Sequence, residues 1–212
     1  MNALSFGALC FSSLFTVIDP LAAAPVFTSV TRGQERRRVR RIALRACVVG
    51  FGVLALFAVS GAFVFRLFGI TIDAFRIGGG IVFLLIGIPM LTGASTHDHD
   101  GAKDAPASGD PSVVPLGVPL IAGPGAITTI MLLMGQSEGA LHTAALFAAL
   151  FVAIAATSAV LVVAPSIMGR LGGSGLELVT RVMGLIVVVI GVQFVIDGAR
   201  PIAVDILRSA RL

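Results

Sequence analysis

The sequence contains no tryptophan and no tyrosine, and only 12% of its 212 residues are charged. A soluble domain carries about a quarter of its residues as Asp, Glu, Lys and Arg, so this scarcity excludes an ordinary water-exposed surface. Without Trp or Tyr there are no aromatic belts to mark where membrane spans begin and end. The two cysteines, Cys10 and Cys47, both fall in apolar segments. There they read as small packing residues, and no disulfide framework is available. The opening M-N-A-L-S-F lacks the basic stretch of a secretory signal, and Asp19-Pro20 interrupts the first apolar run before the Ala22-Ala23-Ala24 tract that mimics a peptidase site. No cleaved signal peptide is expected.

What is present is apolar. Hydrophobic residues make up 57% of the chain and the mean hydropathy is +1.03. A bilayer core of about 30 Å takes roughly 20 apolar residues per helix, which leaves room for about six spans and almost no extramembrane domain. Apolar segments at 3–30, 43–68, 74–92, 113–134, 141–165 and 177–198 are each long enough. Only helices satisfy their own backbone in lipid, so the expected fold is an all-α polytopic membrane protein. The longest polar interruption, from Gly93 to Ser112, reads as a flexible cytoplasmic linker. It divides the chain into three helices (1–92) and three helices with a short tail (113–212).

The net charge of +4 comes mostly from one cluster: Arg32, Arg36, Arg37, Arg38, Arg40, Arg41 and Arg45. That concentration marks a cytoplasmic loop between the first two spans and gives no reason to expect nucleic acid as a partner. Lys103, Arg170 and Arg181 fall on the same side; Arg66, Arg76, Arg200, Arg208 and Arg211 fall on the other, with both termini outside. The cluster can also touch anionic lipid headgroups, with no specificity expected beyond its topological role.

Slid against itself, the chain matches at a constant offset of 104 positions. Pro20 falls on Pro124, Ala22 on Ala126, Arg66-Leu67-x-Gly69 on Arg170-Leu171-x-Gly173, and Gly80, Ile86 and Gly87 on Gly184, Ile190 and Gly191. One ungapped register links all three pairs of spans. Each half holds an odd number of spans, so the second copy enters from the opposite side, the inverted repeat typical of secondary transporters.

The repeated prolines lie in V-I-D-P-L-A-A-A-P-V-F, residues 17–27, and P-L-I-A-G-P-G-A-I-T-T-I, residues 119–130. Proline removes a helix donor, and Gly123 and Gly125 beside Pro124 loosen the second segment further. Both first and fourth spans are expected to break there. An ordinary proline kink is the plainer alternative, but irregular backbone at membrane depth survives only where protein buries it or where it lines a cavity able to bind ions or substrate. Asp19 is the one acid clearly inside an apolar span; it can meet a cation, take up a proton, or cap the half-helix that starts at Pro20. The amides that follow Pro20 and Pro124 favour an anionic group. The expected substrate- or ion-binding residues are therefore Thr16, Asp19, Pro20 and Pro25 in the first motif, with Gly123, Pro124, Gly125, Ala126, Thr128 and Thr129 in the second. Hydroxyls such as those of Thr16, Thr128 and Thr129 more often bond to their own helix. Pro119 either widens the second break or marks its entry turn, and Gln193 serves interhelical packing equally well.

Catalysis is not expected. A second intramembrane aspartate, a Ser-His pair within the spans and an H-E-x-x-H motif are all missing, and His142 reads as lying in an outer loop. His97-Asp98-His99-Asp100 has metal-binding residue types but sits in a charged linker without fixed geometry, so a solvated segment is expected and no metal or cofactor.

With the two motifs in view, the chain resembles the MarC family of integral membrane proteins over nearly its full length. The resemblance rests on Asp19, Pro20, Pro25 and Phe27 and on Pro119, Gly123, Pro124, Gly125, Ala126 and Thr128. It departs from the family pattern at Ala22 and Ala23, where a Gly-Asn pair is expected. The resemblance implies six spans in a bacterial inner membrane and the transport of small neutral amino acids. A coupling proton or sodium ion and a homo-oligomer are compatible partners. A non-transporting membrane scaffold or lipid-interacting protein is the other reading, because glycine-rich helices also suit packing and assembly.

Overall fold

In a computed structural model, residues 2–92, 112, 116–168 and 172–209 are described, and within them every regular element is helical. The order is α1 (Ala3–Ile18), α2 (Pro20–Val30), α3 (Arg36–Phe68), α4 (Ile72–Thr92), a π-helical segment Leu116–Ile121, α5 (Pro124–Gly135), α6 (Ala140–Met168) and α7 (Gly172–Ser209). Four helices (α3, α4, α6 and α7) are long and apolar enough to cross a bilayer. The pair α1 and α2, bent by 40° at Asp19, makes a fifth broken span or a re-entrant segment. The expected fourth span is not one helix: the π-helical segment gives way at Val118 to non-helical backbone (φ −135°, ψ 125°), and α5 starts afresh at Pro124. The expected linker, including His97 to Asp100 and Lys103, lies outside the described residues, apart from Ser112.

Apolar side chains at every fourth position explain how the bundle closes. On α1, Phe6, Cys10, Leu14 and Ile18 are buried one turn apart and form a single face against α6. The answering face of α6 carries Leu146, Leu150, Ala153, Thr157, Leu161 and Ala164. Fully burying a Leu, Ile or Phe side chain stabilises by about 1.5–3 kcal/mol, so this seam is a principal source of cohesion. Among the described residues every buried side-chain nitrogen or oxygen has a hydrogen-bond partner. The outer surface is the reverse of a soluble protein's: Leu4, Leu21, Val48, Val59, Phe63 and Leu85 are all exposed. A surface so apolar is stable only against lipid.

The helices α4 and α7 form the second unit and pack antiparallel. A Cβ added at Gly80 would stand 2.5 Å from the Gly191 carbonyl oxygen, and one at Gly87 would stand 3.0 Å from that of Gly184. Side chains at these four positions would push the helices apart, so glycine here permits backbone contact. Both helices bury only 17% of their most apolar stretch, against 39% for α3 and α6, and so form the outer flank.

Two boundaries differ from those read in the sequence. Arg36 to Arg45 lie in the first turns of α3, and only Thr31–Glu35 forms the connection. Arginine is a good helix former and no breaker follows Gly33, so the helix starts as soon as the turn is complete. The C-terminal helix likewise runs through Pro201 to Ser209. His142 belongs to the first turn of α6, with its ring centroid 4.9 Å from that of Phe6.

Candidate functional site

The break between α1 and α2 is a single residue. Asp19 adopts a left-handed conformation (φ 44°, ψ 73°), which Asp tolerates better than bulkier residues. Its backbone N–H donates to Phe15 O at 3.1 Å and closes α1, while its Oδ1 accepts from Ala22 N at 3.1 Å and caps α2. Pro20 then occupies the first helical position, where its missing donor does no harm. Pro25, the other proline among the expected site residues of the first motif, lies inside an unbroken α2. The reason is local: a proline five residues into a helix loses its bond to a carbonyl at the edge of the first turn, where the chain is already bent.

The second break is wider. Pro119 sits in the π-helical segment, joined to Val118 by a cis peptide bond. Gly123 has extended backbone (φ −80°, ψ 171°) and precedes Pro124, the first residue of α5. As a glycine it offers α5 no side-chain cap. The first-turn amides of a helix have no acceptor within it, so those of Gly125 and Ala126 are available to a ligand.

The two breaks meet. Asp19 and Ala22 line the same cavity as Gly123, Gly125 and Ala126, a space of about 60 Å³ closed by Phe83, Val187 and Phe194. Val17, just before the first break, would touch a Cβ at Gly125 at 3.0 Å. One water needs roughly 10–15 Å³ on this measure, so several waters or a very small polar solute can enter. Asp19 remains exposed while lining the cavity, so its carboxylate is reachable. The site combines one carboxylate, one set of helix N-terminal amides carrying partial positive charge, and an apolar wall.

Not every expected residue reaches it. Pro20 and Pro124 are buried and form the breaks without lining the cavity. Thr16 is exposed and outside the lining. It is about 200° around the helix from Leu14, which faces the core. The hydroxyl of Thr128 donates to Pro124 O (2.9 Å) and Gly125 O (3.0 Å), bonding its own helix. Thr129 is half-buried and also absent from the lining. Gln193 donates to Asp197 Oδ1 at 2.7 Å one turn along α7. Asp197 lies within the apolar segment read as 177–198 and on a membrane-length helix, so Asp19 is not the one acid inside such a segment. The wall residues Phe83, Val187, Ile190 and Phe194 carried no chemical signal in the sequence, although Phe83 and Val187 are 104 positions apart.

A family model described as MarC family integral membrane protein matches residues 4–203. A membrane protein of Aquifex aeolicus, described only as UPF0056, is 35% identical over 92% of this chain and 94% of its own length. The UPF0056 membrane protein YvbG of Bacillus subtilis is 36% identical over 92% of this chain and 95% of its own. The UPF0056 inner membrane protein YhgN of Escherichia coli is 32% identical over 88% and 92%. No solved structure matches.

Proposed function

The chain belongs to the MarC family of integral membrane proteins, and on that premise we propose that it is a secondary transporter of small neutral amino acids, placed in a bacterial inner membrane with both termini outside. The observation that carries this reading is the single cavity in which Asp19 and the uncapped start of α5 come together. A zwitterion satisfies both ends: its ammonium approaches Asp19 and its carboxylate approaches the amides of Gly125 and Ala126. The small volume and the two phenylalanines leave room only for a short side chain.

We infer in addition that the two halves form an inverted repeat, which fits the same function. At the offset of 104, α2 and α5 both begin on proline, Pro20 and Pro124, and α3 and α6 begin at Arg36 and Ala140. The helix contacts exchange in the same way, since α1 packs on α6 as the π-helical segment packs on α3, and α2 on α6 as α5 on α3. The pair Gly80 and Gly191 becomes Gly184 and Gly87 under that exchange, and both pairs are in contact. Equivalent helices that meet antiparallel in this way fit a two-fold axis lying in the membrane plane, with the π-helical segment and α5 together forming a sixth, broken span. Asp19/Gly123, Ala22/Ala126 and Phe83/Val187 are three lining pairs related by the offset, which supports a cavity near that axis.

The test is flux of labelled glycine, alanine, serine and threonine into liposomes containing the purified protein, with and without proton or sodium gradients. Saturable uptake competed by other small neutral amino acids is the expected result. Absence of flux for all four under every gradient refutes the proposal.

A further inference from the structure

We propose that the cavity beside the start of α3 binds a phosphate-bearing anion. This space, about 600 Å³, lies between the Thr31–Glu35 connection, the first turns of α3 and the end of α6. It is distinct from the Asp19 cavity and does not depend on the transport reading. Three guanidiniums line it, Arg32, Arg36 and Arg40, and among the described residues none of its lining is acidic. Arg36 and Arg40 stand one turn apart, a spacing at which like charges repel and destabilise an empty helix. An anion between them reverses that sign. Guanidinium is also the group whose flat fork matches phosphate oxygens two at a time.

The rest of the lining suits the same ligand. Gln34 adds an amide, and the Ser166 hydroxyl accepts from Arg36 at 3.3 Å and so holds that guanidinium toward α6. Glu35 gives α3 no side-chain cap, so the helix presents its own first-turn amides at the same end. Thr28 and Thr31 donate their hydroxyls to Ala24 O and Phe27 O at 2.8 Å, closing the floor without exposing an unpaired donor. Val39, Val162, Val163 and Pro165 form an apolar side. Arginines at the end of a membrane-crossing helix sit at headgroup depth, where basic pockets between helices receive the phosphates of anionic lipids. A phosphate group is common to such a headgroup and to free phosphate, and the apolar side favours neither in itself.

The experiment uses the full chain in neutral detergent. Thermal unfolding is followed with a thiol-reactive dye, since Cys10 and Cys47 are both buried and react only on unfolding. One arm titrates inorganic phosphate; the other titrates phosphatidylglycerol against phosphatidylcholine. R32Q/R36Q/R40Q removes the cavity charges, and R37Q/R38Q/R41Q removes equally many from residues of α3 that do not line it. The single variants R40Q and R41Q repeat the comparison where a triple variant does not fold. Saturable stabilisation of the unaltered protein is expected in at least one arm, with the dissociation constant raised about tenfold or more by the cavity set and little by the other. Response to phosphatidylglycerol alone identifies a lipid headgroup; response to phosphate as well identifies a site open to soluble anions. Equal loss in both sets of variants, or no saturable response in either arm, overturns the proposal.

Discussion

Asp19 and Gly123 hold the same place, each immediately before the proline that opens a short helix, but only Asp19 closes that helix's first turn, through Oδ1 and Ala22 N at 3.1 Å. The contrast gives the two breaks opposite electrostatic character. One ends in a carboxylate, and the other leaves its amides unclaimed.

Separating the cap from the charge at Asp19 is the first test. Asn caps a helix about as well as Asp and tolerates the left-handed conformation, so Asp19→Asn is expected to unfold within about 0.5 kcal/mol of the unaltered protein. Its amino acid flux is expected to fall at least about tenfold. Asp19→Ala loses cap and conformation together and should lose roughly 2 kcal/mol or more of stability. Normal flux in Asp19→Asn reduces Asp19 to a cap.

Gly78 and Gly79 are neighbours with opposite surroundings. A Cβ at Gly79 would overlap the ring of Pro124, whereas nothing lies within 4 Å of one at Gly78. Gly79→Ala should therefore displace the start of α5 and destabilise by about 1–3 kcal/mol. Gly78→Ala should be neutral or slightly stabilising. Unfolding midpoints of the two variants check the difference, and equal midpoints mean that α4 does not press on Pro124.

Phe83 and Phe194 meet edge to face across the cavity wall, with centroids 5.7 Å apart. On the transport reading, Phe194→Ala enlarges the side-chain compartment. The flux ratio of leucine to alanine should then rise about tenfold, the scale on which apolar pockets discriminate by size. An unchanged ratio places selectivity elsewhere.

Orientation can be read by labelling intact cells after the native cysteines are replaced. A cysteine at Gln34 should resist an impermeant reagent until the membrane is opened, while one at Ser209 should react from outside. The reverse pattern inverts the whole topology.

Much of this was legible because breaks in apolar helices require conspicuous residues. Asp19, Pro20, Gly123 and Pro124 announced themselves by being costly in lipid, and the structure gathers Asp19 and Gly123 in one cavity. The wall was not legible: Phe83, Val187, Ile190 and Phe194 are apolar residues in apolar helices, where no periodic signal separates a lipid-facing side from a cavity-facing one. Rotation about an axis was equally hidden, which is why Thr16 turns out to face away. The start of α3 was misplaced for a different reason. Charge indicates which side of a membrane a residue occupies, not whether its backbone is coiled, and Arg36 to Arg45 are both basic and helical.

The glycine contacts between α4 and α7 have a mechanical meaning. Where Gly80 meets Gly191 and Gly87 meets Gly184, the missing Cβ atoms leave hollows that the facing helix fills with side chains as well as main chain: Val195 at Gly80, Val188 at Gly87, Met90 at Gly184 and Phe83 at Gly191. Side chains seated in this way resist sliding, because they must leave their hollows before one helix can pass the other. The least buried flank of the molecule is therefore keyed in register, so that α4 and α7 are expected to move as one body.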